Sequence, residues 1–305
     1  MNNKIERDLL LAVADLHSIP NGAYNIRQNG KSIDRKTTAN INIVPKEDKS
    51  GIDIYVKENT INESIHIPVI ITESGIKDLV YNDFYIGDNA DVLIVAGCGI
   101  HNPQDKTSEH NGIHAFYIGK NAKVRYVEKH IGSGSNGDKI LNPVTIVNMD
   151  ENSQMIMETT QLGGVSSSDR DTKANLKDGA KLIIKEKILT SSMQSAKTQF
   201  DVNLEGVDSS VDVISRSVAR DNSYQSFYSK VVGNNRCFGH VECDAILMDN
   251  SRIVSTPEID AKCVDATLVH EAAIGKIAGE QLIKLKTLGL SDKEAEDMII
   301  NGFLS

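Results

Sequence analysis

Six times along the chain an apolar residue runs into a polar turn, a small residue and a new alternating stretch. The copies are Ile86-Gly-Asp-Asn-Ala90-Asp-Val92, Ile118-Gly-Lys-Asn-Ala122-Lys-Val124, Met149-Asp-Glu-Asn-Ser153-Gln-Met155, Leu176-Lys-Asp-Gly-Ala180-Lys-Leu182, Leu204-Glu-Gly-Val-Asp-Ser-Ser210-Val211 and Leu247-Met-Asp-Asn-Ser251-Arg-Ile253. The first five recur about every 27–32 residues, a period that suits solenoids and arrays. Between them lie β-branched stretches such as Val144-Thr-Ile-Val147 and Ser210 to Val218. Short strands joined by one repeated turn indicate a β-helix whose rungs stack on a continuous core. A two-sheet sandwich would also use many short strands; the constant turn chemistry favours the β-helix.

The ends have a different texture. Ile5, Leu9, Val13 and Leu16 fall at helical spacing, which predicts a helix from Asn3 to His17, stopped by Pro20-Asn21-Gly22. From Thr38 the period becomes two, as in Ile41-Asn-Ile43 and Ile52-Asp-Ile-Tyr-Val56. At the far end Ile274, Ile277, Leu282, Leu285 and Leu288 form a helical stripe that stops at Gly289. Ser291-Asp-Lys-Glu294 is a capping box that starts a second helix through Ile300. The expected division is a lead-in over 1–36, a β-helix over 37–268 and a helical domain over 269–305.

Charge and cysteine content narrow the function. The formal charge of −9 over 305 residues, with no dense basic block, argues against a nucleic-acid binder. The start, MNNKIERDLL, lacks the layout of a signal peptide, and no apolar run approaches the roughly 20 residues that span a bilayer. Cys98, Cys237, Cys243 and Cys263 are too few and scattered for a disulfide framework, so free thiols in a reducing cytoplasm are expected.

Gly132-Ser-Gly-Ser-Asn-Gly137 matches the dinucleotide fingerprint by letter, but a strand rather than a helix should follow it. Asp138 stands where a phosphate-binding loop needs Lys, so this chain should not hydrolyse ATP by itself. His240-Val-Glu242 lacks the Pro-Cys-x-x-Cys half of a zinc deaminase signature. Two groups of ligand-type residues remain. Cys237, Cys243 and Cys263 lie near His240, Glu242, His270 and Glu271, a set suited to iron, copper or an iron–sulfur cluster. Free cysteines in a β core are more often small buried hydrophobes. Cys98 sits between Gly97 and Gly99, with His101, His110, His114 and His130 following. Small flanks and cationic neighbours would leave its thiol accessible and acidic, although incidental histidines are the simpler account.

At these residues a family resemblance emerges. Val269-His-Glu-Ala-Ala-Ile-Gly-Lys-Ile-Ala-Gly-Glu-Gln-Leu282, continuing through Gly289-Leu-Ser291 to Ile300-Asn-Gly-Phe303, resembles the C-terminal hallmark of the SufB/SufD family, the scaffolds of SUF iron–sulfur cluster assembly. The resemblance implies a mainly β chain, a right-handed parallel β-helix with a short N-terminal helix and a C-terminal helical domain. Cys243, in Glu242-Cys-Asp-Ala-Ile-Leu247, resembles the SufB cysteine of the nascent-cluster site. Glu271 matches its cooperating glutamate, and His270 the position from which SufD contributes a histidine. Cys98 resembles the cysteine that receives sulfur, and His130 falls near residues lining the internal route. A large N-terminal extension of bacterial SufB is missing, as is any Trp, which points to the compact SufB/SufD-like proteins of anaerobes and archaea.

By resemblance the chain is a non-catalytic, cytoplasmic scaffold. It takes sulfur from a cysteine desulfurase system or sulfide, holds a transient iron–sulfur cluster at a homodimer interface and binds a SufC-type ABC ATPase. The ATPase would dock on the C-terminal helices, through Gln281, Leu282, Leu285 and Leu288, with neither nucleic acid nor membrane as partner. The rival expectations are a cluster-free structural or regulatory subunit of that ATPase, and a β-helical carbohydrate enzyme. Aromatic content of only 5% weighs against the enzyme.

Overall fold

The computed structural model describes residues 4–14, 20–134 and 136–305. The chain opens with helix α1 (Lys4–Ala14) and strands β1 (Ala23–Gln28), β2 (Lys31–Lys36), β3 (Ile41–Pro45), β4 (Gly51–Val56) and β5 (Ile61–Ile71). There follow β6 (Lys77–Ile86), β7 (Asp91–His101), β8 (Ser108–Ile118), β9 (Lys123–Ser133), β10 (Lys139–Leu141), β11 (Val144–Met149) and β12 (Gln154–Leu162). The body continues with β13 (Ser167–Leu176), β14 (Lys181–Thr190), β15 (Ser195–Leu204), β16 (Ser209–Ala219), β17 (Tyr224–Gly233) and β18 (Cys237–Leu247). Strands β19 (Arg252–Ala261) and β20 (Ala266–Gly275) complete it, before helices α2 (Gly279–Thr287) and α3 (Asp292–Leu304).

Strands make up 60% of the chain and wind into a β-solenoid of about 8 turns. One sheet runs β2-β1-β5-β7-β9-β12-β14-β16-β18-β20; the other runs β19-β17-β15-β13-β10-β8-β6-β4-β3, with β11 joining β8 to β13. Beyond the antiparallel pairs β1–β2 and β3–β4, every pairing is parallel. Successive turns therefore place equivalent residues in register, and each inward position extends into a column along the axis.

The repeated turn explains the winding. One residue of the turn takes the left-handed conformation in all six copies: Asn89, Asn121, Asn152, Gly179, Asp208 and Asp249 have φ of 56–66°. Asn, Asp and Gly tolerate that region at the least steric cost. The amide of the following small residue closes each turn, as in Ala122 to Gly119 O at 3.2 Å and Ala180 to Lys177 O at 3.1 Å. Five copies form one corner, passing the chain from the second sheet to the first. The sixth, at Met248–Ser251, forms the opposite corner and stacks on Asp221 through its Asn250 amide. Its departure from the period therefore has a topological cause.

The flanking helices differ from expectation in extent. α1 covers Lys4–Ala14; Asn3, Leu16 and His17 lie outside the described residues. The predicted stripe beginning at Ile274 is corrected. Residues 266–275 form β20, held in parallel register on β18 from Cys237↔Ala266 to Ile246↔Gly275. Ladder pairing overrides the helical spacing of Ile274 and Ile277, and α2 starts only at Gly279. Gly289 does terminate it, with φ 97°. The capping box at Ser291 forms in full, and α3 extends to Leu304. Ile300 and Leu304 pack on Val218 of β16.

Candidate functional site

Inside the solenoid the two sheets face one another, and the half beside the recurrent corner is apolar. Phe84 stacks on Phe116 at 4.4 Å, and Phe116 meets Tyr126 edge-on at 5.0 Å. The other half carries a polar column on the first sheet, Glu128–Thr159–Glu186–Ser215–Cys243, one residue per turn and all in direct register. All five side chains are buried. Beside it runs Cys98–His130–Gln161. Five strand spacings separate Cys98 from Cys243, about 24 Å at roughly 4.8 Å per strand.

Hydrogen bonds satisfy most of this interior. Arg170 reaches from the facing sheet to donate to Glu128 Oε2 at 2.6 Å, and its Nε lies 3.8 Å from Glu186 Oε1. One cation thus serves two buried carboxyls. Burial opposes ionisation of Glu128, yet Arg170 and His130 hold its carboxyl well below the usual range. Burial wins at Glu186 and raises it, while Thr198 and Ser215 donate to its oxygens at 3.0 and 2.9 Å. Tyr126 donates to Glu128 at 3.0 Å and bonds His114 Nδ1 at 2.8 Å. His114 is depressed to about 4 by burial.

Cys98 lies at one end of this network and is 1% exposed. It lines a cavity of about 10 Å³ with His110, Gly112, His114, Glu128 and His130, barely room for one water. A second void of the same size lies further along, between Arg170, Glu186 and Thr198. Two expectations for Cys98 are corrected. Gly97 and Gly99 point outward and seat α1: a Cβ on Gly99 would meet Leu9 at 2.9 Å, and one on Gly97 would meet Val13 O at 2.8 Å. The glycines bring a helix down rather than opening the thiol. Nor is the thiol acidic. Burial pushes it well above its ordinary value, and the charges of Asp78 and Glu128 push the same way. Burial also lowers His114 and His130, so they supply little positive charge at neutral pH. His101 sits at the strand end, bonded to Ser133 at 3.0 Å.

Cys243 is equally buried, its thiol raised by burial to about 11. The Ser255 hydroxyl on β19 counteracts part of that rise. Only the last turn covers it, since β20 places Ala272 against Cys243. His270 and Glu271 fall on opposite faces. His270 stacks inward on Val241, and its buried Nε2 has no hydrogen-bond partner. Glu271 stacks outward on Glu242, with its Oε2 4.0 Å from His240 Nε2. The chain therefore brings Cys243 and His270 to the same interior, and Glu271 to the outside. Among the described residues no three His, Cys, Asp or Glu side chains converge as a metal site. Cys237 and Cys263 lie at the edge of the last turns, the first buried and the second half-buried.

Sequence reasoning missed Arg170, Glu186, Thr159 and Ser215. Their signal was a charged or hydroxylic residue at an inward position of a strand, recurring once per turn. α2 holds Gln281 exposed and Leu282 and Leu285 half-buried, and Leu288, its C-cap, is exposed. Ile283, which the stripe had omitted, is 63% exposed.

A β-solenoid with a polar interior linking two buried thiols is the class that fold and site define. Residues 81–303 match the family model of the SUF system FeS cluster assembly SufBD core domain. A relative named as an iron–sulfur cluster assembly SufBD family protein, from Methanocaldococcus jannaschii, is 30% identical over 244 residues, covering 79% of this chain and 76% of that one. Another, from Pyrococcus horikoshii, is 26% identical over 283 residues, 90% and 84% of the two chains. A third, from Methanothermobacter thermautotrophicus, is 28% identical over 242 residues, of which this chain spans 58% of the relative's length. The chain belongs to the SufBD family, whose role lies in iron–sulfur cluster assembly. No described helix is long and apolar enough to cross a membrane.

Proposed function

We propose that this chain is a non-catalytic scaffold that receives sulfur at Cys98 and assembles an iron–sulfur cluster at Cys243, with His270 and Glu271 completing the site across a homodimer. The observation carrying this is the in-register column Glu128–Thr159–Glu186–Ser215–Cys243 beside Cys98 and His130. A buried polar column is costly in a solenoid that could be filled with Val and Ile, and here one end is the Cys243 thiol while Cys98 heads the column beside the other end. In the sulfur step a donor persulfide passes its outer sulfur to the Cys98 thiolate and leaves as thiolate, with no net redox change.

The open end supports the dimer. The last turn leaves inward residues Ile259 and Ile274 44% and 39% exposed, and leaves the imidazole of His270 unsatisfied. A two-fold pairing supplies each site residue twice, so Glu271 of one protomer can approach the interior edge of the other. The cluster is cargo rather than a resident cofactor. A SufC-type ATPase docks on α2, whose Ile283 and Leu288 lack cover. Hydrolysis by that partner opens an interior whose two voids are closed at rest.

The burial of both thiols favours a second reading, a cluster-free partner of the ATPase. Anaerobic co-purification with the ATPase, followed by iron, sulfide and visible-absorbance measurement, separates the two. The scaffold reading expects bound iron and sulfide that fall to background in Cys243→Ser; background content in the unsubstituted chain as well favours the second reading.

A further inference from the structure

On the outer face of the first sheet, away from the thiols, lies a cleft of about 690 Å³. Its apolar floor is Leu93, Val95, Val127 and Ile214. α1 closes one side through Val13 and Ala14 on Val95, and the end of α3 closes the other at Ser305. Above the floor stand Lys185, Lys187 and Arg216 on neighbouring strands, with Lys187 directly in register with Arg216. Lys187 and Arg216 are half-buried. None of the three forms an ion pair among the described residues, although the field of Arg216 reaches Glu242. Of the two side-chain carboxyls among the described residues that line the cleft, Glu158 is taken by Arg125 at 2.8 Å, and Glu186 belongs to the interior, where Thr198 and Ser215 donate to it.

This concentration of positive charge stands in a chain of net charge −9. Holding Lys187 beside Arg216 is unfavourable, since Asp244, in register with Arg216 on its other side, forms no ion pair with it, and partial burial weakens the solvent screening that would relieve the repulsion. Such a pair is stabilised by an anion that bridges it. The floor is apolar, the volume lies within the range of small-molecule sites, and both ends are walled by helices. We infer that the cleft binds a small phosphorylated organic molecule of nucleotide size, its phosphates on Lys185, Lys187 and Arg216 and its organic part on the Leu93–Val95–Val127 floor. No glycine loop is involved, which is why motif reading finds no such site.

The test is calorimetric titration of the full chain with ADP, AMP and inorganic pyrophosphate at 150 mM salt, with an oligoglutamate peptide as comparator. Saturable binding of one ADP per chain is expected, tighter than pyrophosphate because the floor contributes, and weakened at least tenfold in Lys187→Ala/Arg216→Ala. Lys181→Ala, on the same sheet outside the cleft, should bind as the parent does; circular dichroism checks that each variant is folded. Absence of ADP binding overturns the inference, as does equal weakening in the Lys181 control, and tighter binding of the peptide assigns the cleft to an acidic chain instead.

Discussion

Cys98 and Cys243 are equally buried, and both thiols are held above their ordinary value, yet their surroundings differ in kind. Cys98 sits within the body of the solenoid, on the inner face of the strand that α1 backs, and is caged by His110, His114 and His130. Two carboxylate charges add to its burial. Cys243 sits one turn from the open end, with a serine hydroxyl easing the same penalty. The first site needs an interior contact to move before it can react. The second needs only its edge strand to shift. Between them lies a network in which one arginine approaches two carboxyls.

The link itself is the point at which the comparison breaks most sharply. Arg170→Met leaves Glu128 charged and unpaired, which should cost about 3–5 kcal/mol in urea unfolding. A loss below about 1 kcal/mol would show that the network is not ionised. The Cys98 end should also carry the pH sensitivity. His114 holds a pKa near 4 in the fold against 6.5 unfolded. Between those values the unfolded state binds more protons, so stability is full above pH 6.5 and declines as pH falls toward 4. The decline is roughly 3 kcal/mol for this histidine, and denaturation midpoints for His114→Gln should lose that part of the slope.

Smaller effects sharpen the contrast in access. Leu9→Ala should cost about 2–3 kcal/mol of local packing and speed alkylation of Cys98, followed by peptide mass spectrometry, while leaving Cys243 unchanged. Equal acceleration at both would mean that α1 does not brace the strand that carries Cys98. At Cys243 a thiol near 11 should alkylate about tenfold faster per pH unit between 8 and 10. Ser255→Ala should slow that reaction a few-fold; no change would remove the hydroxyl from the account.

Much of this architecture was legible in the residues because its cause is local. A turn needing one left-handed residue selects Asn, Asp or Gly, and a tight inner corner selects Ala or Ser, so five copies announced the solenoid. The sixth carried the same chemistry at the opposite corner, which no local signal distinguishes. With 266–275 a strand, its period of two puts His270 and Glu271 on opposite faces. The helix read across Ile274 failed because apolar spacing at an exposed edge strand fits both periods, and ladder pairing decided between them. The accessible thiol read from Gly97 and Gly99 failed for a related reason: glycine records only that something approaches closely, and here that is α1.

The amino-acid sequence determined the turns, the strand period, the capped terminal helix and the family, since each rests on contacts among residues near in the chain or on motifs that survive as letters. Only the tertiary structure decided that Glu128, Glu186, Ser215 and Cys243 form one column, that Arg170 bridges it from the facing sheet, and that both thiols are closed to solvent. Those relations join residues tens of positions apart. They depend on the register of stacked turns, which sets burial and therefore charge.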